Sequence, residues 1–408
     1  MRSVVITGIG AVTPIGNTAK LYWKNLLAGT NGIGRLTRFD TTDHKAKLAA
    51  EVRDFDPSLY MDKNEIRRTD LFSQFAMAAA CQAVEDSGVA GQVEPERFGV
   101  YFGSGIGGLM TITAEMEKLF TKGPRRVSPH FIPMMISNLA AGNISIRHKA
   151  QGPCIPTVTA CATSTNTIGE AFRAIKYGHA DAIIAGGSEA GITPIALAGF
   201  SNMTALTCSE DPSAASIPFD KRRSGFVIGE GAGALILEEA GHAKKRGARI
   251  YAEICGYGAT CDAYHVTAPD PDGACAARSI ALALEEAGME SENRVYINAH
   301  GTSTPLNDVM ETKAIKAVYG GRAGQLLVSS SKSMIGHTLG AAGAIEAIAA
   351  ILALKEGVVP PTIGLIEPDP ECDLDYVPGV KRGAALELAL SVSFGFGGHN
   401  ACVAFKQA

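Results

Sequence analysis

The sequence contains no Cys-x-x-Cys pair; its nine cysteines are scattered and odd in number. That excludes a disulfide framework and a zinc ribbon, and it points to reduced thiols in the cytoplasm. A basic excess is also missing. Lys and Arg number 37 against 41 Asp and Glu, a formal charge of −4, so no positive field points to nucleic acid. No charged-then-apolar leader precedes the strand-like opening MRSVVITGIG. The most apolar helical stretch, GAAGAIEAIAAILALKEG, carries Glu346 and is too short to span a bilayer. A full dinucleotide fingerprint is absent too: GIGAVTPIG has no third glycine, and Pro14 stands where the helix would begin. GSGIGG at 103–108 matches no better. These absences leave a soluble, intracellular globular protein without membrane or nucleic-acid partners. With 408 residues, 46% hydrophobic and 46 glycines, it is long enough for two domains.

Strand-like and helix-like patterns alternate, which indicates an α/β layered fold. The pattern repeats. SVVITGIGAV near the start resembles RIYAEICGYG at 249–258, and RFGVYFGSGIGG at 97–108 resembles RVYINAHGTST at 294–304. GFVIGEGAGALILEEA at 225–240 resembles SFGFGGHNACVAFKQA at 393–408, each reading as strand, glycine-rich turn, strand. The order is the same in both halves, and no low-complexity linker separates them. The charged stretch GHAKKRGAR at 241–249 marks the boundary, giving halves 1–245 and 246–408. The first half is longer, with insertions expected within 35–70 and 109–150.

One cysteine stands out. In TVTACATSTN, Cys161 follows CIPTVTA, an apolar, β-branched run that reads as a buried strand. It precedes a helical pattern in which Ile168, Ala171, Phe172 and Ile175 share a face. A free cysteine is usually a small buried hydrophobe. At a helix N-terminus, however, backbone N–H groups favour a thiolate and lower its pKa, and they can hold an oxyanion. The small neighbours Ala160, Ala162, Thr163 and Ser164 leave room for a substrate.

Two histidines are the natural partners. His300 lies in NAHGTSTP just after a strand, and His337 in KSMIGHTLGAAGA at the start of a small-residue helix. Singly, each is an ordinary structural histidine. If the repeated halves are related by a pseudo-twofold axis, the helix after Cys161 faces the helix that begins at His337. One thiol and two imidazoles then suit acyl chemistry. Zinc ligation by the same three residues is the weaker reading, because local ligand spacing is missing. Lys332 and Glu346 flank His337; a buried ion pair between them would offset the cost of a lone acid in an Ala-rich helix.

Across its whole length the chain resembles the β-ketoacyl-[acyl-carrier-protein] synthases of the decarboxylating Cys-His-His type, and among these the class II enzymes. TACATS, GGSEAGITP, PFDKRRSGFVIGEGAGALILEE, YHVTAPDPDG, NAHGTSTPLND, SSSKSMIGHTLGAAGAIE and SFGFGGHN stand in the family's order. The resemblance implies a thiolase-like fold, two pseudo-symmetric layered α-β-α-β-α halves. It implies an acyltransferase of fatty acid biosynthesis. A fatty acyl chain moves from acyl carrier protein to Cys161, and malonyl-carrier protein then loses CO2 and attacks, lengthening the chain by two carbons. By the same resemblance His300 and His337 support decarboxylation, Lys332 belongs with them in the catalytic set, and Glu346 supports it. The N–H groups of Cys161 and Phe396 form the oxyanion hole. Thr302 and Thr304 bind the pantetheine arm, assisted by Thr267. Ile106 narrows an acyl pocket that Phe200 also lines, and Phe396, between two glycines, gates it. No metal or nucleotide cofactor is implied; the substrates carry phosphopantetheine. A homodimer and an acidic carrier protein are the expected partners, the latter docking on Lys63, Arg67, Arg68, Arg125 and Arg126.

Neighbouring classes differ at these residues. Thiolases use a second cysteine where this chain offers His337, and chain-length factors lose the nucleophile. Class I synthases are the nearest rivals, and Ile106 favours class II. A polyketide ketosynthase and a non-catalytic scaffold subunit are the further alternatives, the last disfavoured by intact Cys161, His300, His337 and Lys332. Three positions depart from the common pattern: His399 where threonine is frequent, Pro156 in the strand before Cys161, and Thr204 where some relatives place a carrier-contacting arginine.

Overall fold

A computed structural model describes residues 1–289 and 294–408. Its principal sheet has nine strands: β1 Val4–Val12, β2 Phe98–Gly103, β3 Ala182–Glu189, β4 Gly231–Glu239, β5 Ala252–Cys261, β6 Val295–Asn298, β7 Leu327–Ser329, β8 Leu388–Gly395 and β9 His399–Lys406. They lie in the order β2-β3-β4-β1-β5-β9-β8-β6-β7. Outward from the centre, β1, β4, β3 and β2 pair antiparallel, antiparallel, parallel. On the other side β5, β9, β8 and β6 pair in the same succession. The two halves of the repeat meet at a short antiparallel contact between β1 and β5, Val4 opposite Ile254 to Ile6 opposite Ala252.

Six helices cover this sheet: α1 Leu71–Ser87, α2 Leu139–His148, α3 Thr163–Lys176, α4 Ala274–Ala287, α5 Pro305–Tyr319 and α6 Ala342–Glu356. α1 and α2 pack on the outer face of the first half through Phe72, Phe75, Ala141 and Ile144. α4 and α5 cover the second half through Ile280, Ala283, Met310 and Ile315. α3 and α6 lie between the halves in a common core with Ile168, Phe172, Ile345 and Ile348. The result is the layered α-β-α-β-α order. Being covered on both faces, α6 is buried from Ala342 to Leu354, which explains its apolar, Ala-rich sequence. Among the described residues no helix is long and apolar enough to cross a membrane.

The glycine repeat is a packing device. Side chains at Gly8 and Gly10 of β1 would run into the Ala83 and Ala79 carbonyl oxygens of α1. Gly256 and Gly258 of β5 stand in the same relation to Ala283 and Ser279 of α4. The turn that resembles a nucleotide loop is therefore strand pressed against helix, once in each half.

Two sequence expectations need correction. CIPTVTA is not a buried strand: it makes one parallel bridge, Cys154 to Val100, at the free edge of β2. The Ile155 N–H donates to the Val100 carbonyl, so Pro156 removes a donor from the opposite, open edge of this segment, and Ile155 and Val158 are left 47% and 54% exposed. The last repeat is also not a hairpin in both copies. β8 and β9 form one, but Phe226 and Ile228 make only single bridges, to Leu206 and His337. The strand equivalent to β8 is β3, separated from β4 by the long excursion that carries the helix Pro194–Asn202.

Candidate active site

Cys161 sits in a single 3-10 turn, Ala160–Ala162, that leads directly into α3. Ala160 before it has φ +50°, a left-handed conformation costly for a residue with a Cβ. The end of β8 presses on this turn. A side chain at Gly395 would collide with the Thr159 carbonyl oxygen and crowd the Cys161 amide. One residue on, the Phe396 N–H lies near the Cys161 sulfur and favours its thiolate.

The sulfur opens into a cavity of about 240 Å³. His300, His337 and Phe396 line it with Cys161, as do Ile106, Phe200, Thr267, Thr302 and Thr304. Residues as far apart in the chain as Gly105 and Asn400 thus line one cavity, beside which α3 and α6 meet at their N-termini. Ala344 N–H of α6 donates to Ser164 Oγ of α3 at 2.9 Å, and Gly343 leaves room for Thr165. This is the convergence that the pseudo-twofold relation implied.

His300 follows β6, and its backbone is clamped by a buried acid. The His300 and Gly301 N–H groups donate to Glu311 Oε1 and Oε2, each at 2.7 Å. His337 is not the first residue of its helix. It lies five residues before Ala342, separated by the 3-10 turn Leu339–Ala341. Its N–H donates to the Val227 carbonyl at 2.7 Å. Its Nδ1 accepts from the Leu339 N–H at 3.3 Å, so in the neutral ring the proton resides on Nε2. The two rings lie edge to face, centroids 5.3 Å apart. Phe226 packs against His337 at 5.2 Å and Phe394 against His300 at 5.7 Å. Burial, reinforced by the Lys332 ammonium, holds both imidazoles well below their ordinary pKa, and they are neutral at pH 7.

Lys332 opens the short helix Lys332–Ile335, just beyond β7, and forms a buried ion pair with Glu346 of α6. Its charge also acts on Cys161, where it favours the thiolate. Burial is the larger influence: it pushes the Cys161 thiol up to about 12, against the expectation that the helix terminus would lower it. Desolvation of the anion outweighs the opposing influence of the Lys332 charge and the Phe396 N–H.

Several lining residues stand inside the signature motifs but are not singled out by sequence as site residues: Glu189, Phe226, Asn307, Leu339, Phe394 and Asn400. Glu311, which holds His300, is likewise an isolated acid in a helical pattern, and burial pushes it up to about 8. Only the coordinates reveal that its partners are backbone amides. Lys63, Arg67 and Arg68 lie on or just after the exposed helix Lys63–Arg67, and Arg125 and Arg126 in the exposed turn Pro124–Arg126, all outside the cavity. Thr204 is exposed, at φ +55°. Among the described residues, no group of three His, Cys, Asp or Glu is placed to hold a metal ion.

Comparison with known proteins gives consistent results. A family model described as the beta-ketoacyl synthase N-terminal domain matches residues 1–243, and its C-terminal counterpart matches 251–365. The 3-oxoacyl-[acyl-carrier-protein] synthase 2 of Synechocystis sp. is 53% identical over 408 residues, covering 100% of this chain and 98% of that protein. The synthase 2 of Staphylococcus aureus strain COL is 51% identical over 407 residues, again covering 100% and 98%. Among solved structures, a beta-ketoacyl synthase from Burkholderia phymatum superposes with TM-score 0.93 at 36% identity over 100% of both chains. A type II PKS acyl-carrier protein in complex with its ketosynthase bound to the hexaketide gives 0.92 at 34% identity, covering 100% of this chain and 99% of that one.

Proposed function

The chain belongs to the β-ketoacyl synthase family, and from that premise we propose that it is a 3-oxoacyl-[acyl-carrier-protein] synthase of the class II kind, an acyltransferase of fatty acid elongation. The observation that carries the reading is the meeting of the Cys161 sulfur, two neutral imidazoles and the Phe396 N–H in one cavity.

In the first step Cys161 Sγ attacks the acyl thioester carbonyl of acyl-carrier protein. The bond to the pantetheine sulfur breaks, and the thiol proton passes to that leaving sulfur. The Cys161 and Phe396 N–H groups hold the oxyanion. Malonyl-carrier protein then enters, its pantetheine arm along Thr302, Thr304 and Thr267. Thr302 and Thr304 hydroxyls already bond each other at 2.9 Å. The bond to the malonyl carboxylate breaks, CO2 leaves, and the electron pair forms an enolate. His300 and His337 donate to its oxygen, with no change in their own protonation. The enolate carbon attacks the Cys161 thioester, expelling the sulfur as a thiolate that takes up a proton from water, and yielding a 3-oxoacyl chain two carbons longer. Lys332 offsets negative charge near the sulfur, and Glu346 anchors Lys332. Ile106 and Phe200 shape the acyl pocket, and Phe396 gates it. Each step proceeds with protein groups and the carrier's phosphopantetheine alone.

The two halves, 1–245 and 246–408, supply the nucleophile and the histidines respectively. Incubation with acyl- and malonyl-carrier proteins tests the function: a 3-oxoacyl product supports it, and unchanged substrates refute it.

An acidic carrier protein docks on Lys63, Arg67, Arg68, Arg125 and Arg126, whose exposure supports the reading. Reversing Arg67 and Arg68 to Glu raises KM for carrier-bound substrate and spares a small acyl-pantetheine; equal effects on both rule out the docking role. The chain forms a homodimer, supported by the free sheet edge beside β2 with Ile155 and Val158 exposed on it. A monomer in sedimentation at micromolar concentration would exclude this.

A further inference from the structure

Glu189 is the last residue of β3 and is fully buried. Its two oxygens accept four hydrogen bonds. Ser104 Oγ donates to Oε1 at 2.7 Å and Ile106 N–H to Oε1 at 3.2 Å. Gly105 N–H donates to Oε2 at 2.9 Å and Gly340 N–H to Oε2 at 3.0 Å. Three donors belong to the turn that carries Ile106, and the fourth belongs to the turn that follows His337. A carboxylate is the side chain suited to this position, because both oxygens meet only donors.

The fit around it is tight. A side chain on Gly105 or on Gly340 would strike the Glu189 carboxylate, and the one on Gly340 would also strike the Gly105 backbone. From Gly340 the connection to the imidazole is short. The neighbouring Leu339, at φ +50°, donates its N–H to His337 Nδ1. The Leu339 and Ile106 side chains also both come within van der Waals reach of a Cβ placed on Gly191.

We propose that Glu189 is a positioning residue that ties the acyl-pocket turn at Ile106 to the His337 turn, so that pocket width and the aim of His337 are set together. Glu189 transfers no proton and need not touch substrate. It acts through Ile106 on chain-length choice and through Gly340 and Leu339 on decarboxylation. This role rests on the condensing reading of the site.

The test compares wild type with Glu189→Gln, which keeps the volume but turns one acceptor into a donor facing donors. Three quantities are read: Cys161 acylation by hexanoyl- and palmitoyl-carrier protein, decarboxylation of malonyl-carrier protein, and amide exchange at Gly105, Ile106 and Gly340. Loss of hydrogen bonds to a buried charge corresponds to roughly ten- to hundredfold in each affected step. The expected result is a change of at least about tenfold in the hexanoyl-to-palmitoyl ratio. A comparable fall in decarboxylation kcat at unaltered KM accompanies it, and the three amides exchange faster together. An unchanged ratio and kcat in a folded variant overturns the proposal. So does an equal fall in every activity, including iodoacetamide alkylation of Cys161, since that marks general loss of structure. If Glu189→Gln does not fold, Ser104→Ala removes one donor and must shift the same quantities in the same direction by a smaller factor; no shift overturns the tie. Wild-type protein inactive in both assays would refute the condensing reading instead. The amide exchange would still decide whether Glu189 joins the two turns.

Discussion

His300 and His337 meet edge to face, their centroids 5.3 Å apart and their planes at 86°. Two imidazoles this close, both buried beside the Lys332 ammonium, cannot readily both be cations, and burial keeps each pKa well below the ordinary value. Neutral rings suit the hydrogen-bond donation to an enolate oxygen proposed for them.

Replacing either ring tests that role. His300→Ala and His337→Ala each lower malonyl decarboxylation roughly 10²- to 10³-fold, the usual effect of losing one oxyanion donor. Acylation of Cys161 falls less. Because neither ring titrates near neutrality, wild-type decarboxylation is flat from about pH 6 to about pH 8. A step near pH 6.5, measured as CO2 release, would show that a histidine changes charge there.

The Cys161 thiol carries the opposite signature. With its pKa pushed up to about 12 by burial, the thiolate fraction rises throughout the neutral range. Iodoacetamide alkylation of the free enzyme accelerates about tenfold per pH unit from about pH 6 to about pH 9. A plateau within that window would mean that the helix terminus and Lys332 dominate after all.

The Lys332–Glu346 pair is buried on both sides. Glu346→Ala leaves an uncompensated ammonium and costs about 3–5 kcal/mol in urea unfolding. Lys332→Met combined with Glu346→Leu recovers most of that stability but not the condensation rate. A single variant as stable as wild type would contradict the pairing.

The pocket residues divide by step. Ile106→Phe rejects palmitoyl-carrier protein at acylation while admitting a short chain. Phe396→Ala disturbs the order of acyl and malonyl binding, because Gly397 and Gly398 at φ +86° and +76° give the loop beyond it a hinge. Unchanged acylation and decarboxylation rates in Phe396→Ala would leave Phe396 as a packing residue only.

Much of this architecture can be read from residue patterns. The G-x-G of TGIGAV and CGYGAT identifies β1 and β5 as equivalent strands under α1 and α4, and the pairing of α3 with α6 follows from that symmetry. Other features depend on three-dimensional context. Val158 has strand composition, but its segment makes a single bridge at a sheet edge, where composition alone cannot distinguish covered from open. Glu189 and Glu311 bond to backbone amides, which have no residue identity to recognise. The direction of the Cys161 shift depends on enclosure by Phe226, Leu339 and Phe394, contributed by distant segments. At 51–53% identity, the synthase 2 relatives place the chain with fatty acid synthesis ahead of the ketosynthase resolved with its hexaketide, at 34%.

The most direct measurement is the intact mass of the protein after incubation with palmitoyl-carrier protein, followed by peptide mapping. The predicted result is one palmitoyl adduct per chain, located on Cys161, absent in Cys161→Ser and discharged by malonyl-carrier protein as a chain two carbons longer. No adduct, an adduct on another cysteine, or an adduct that malonyl-carrier protein leaves in place would contradict the assignment of Cys161 as the nucleophile.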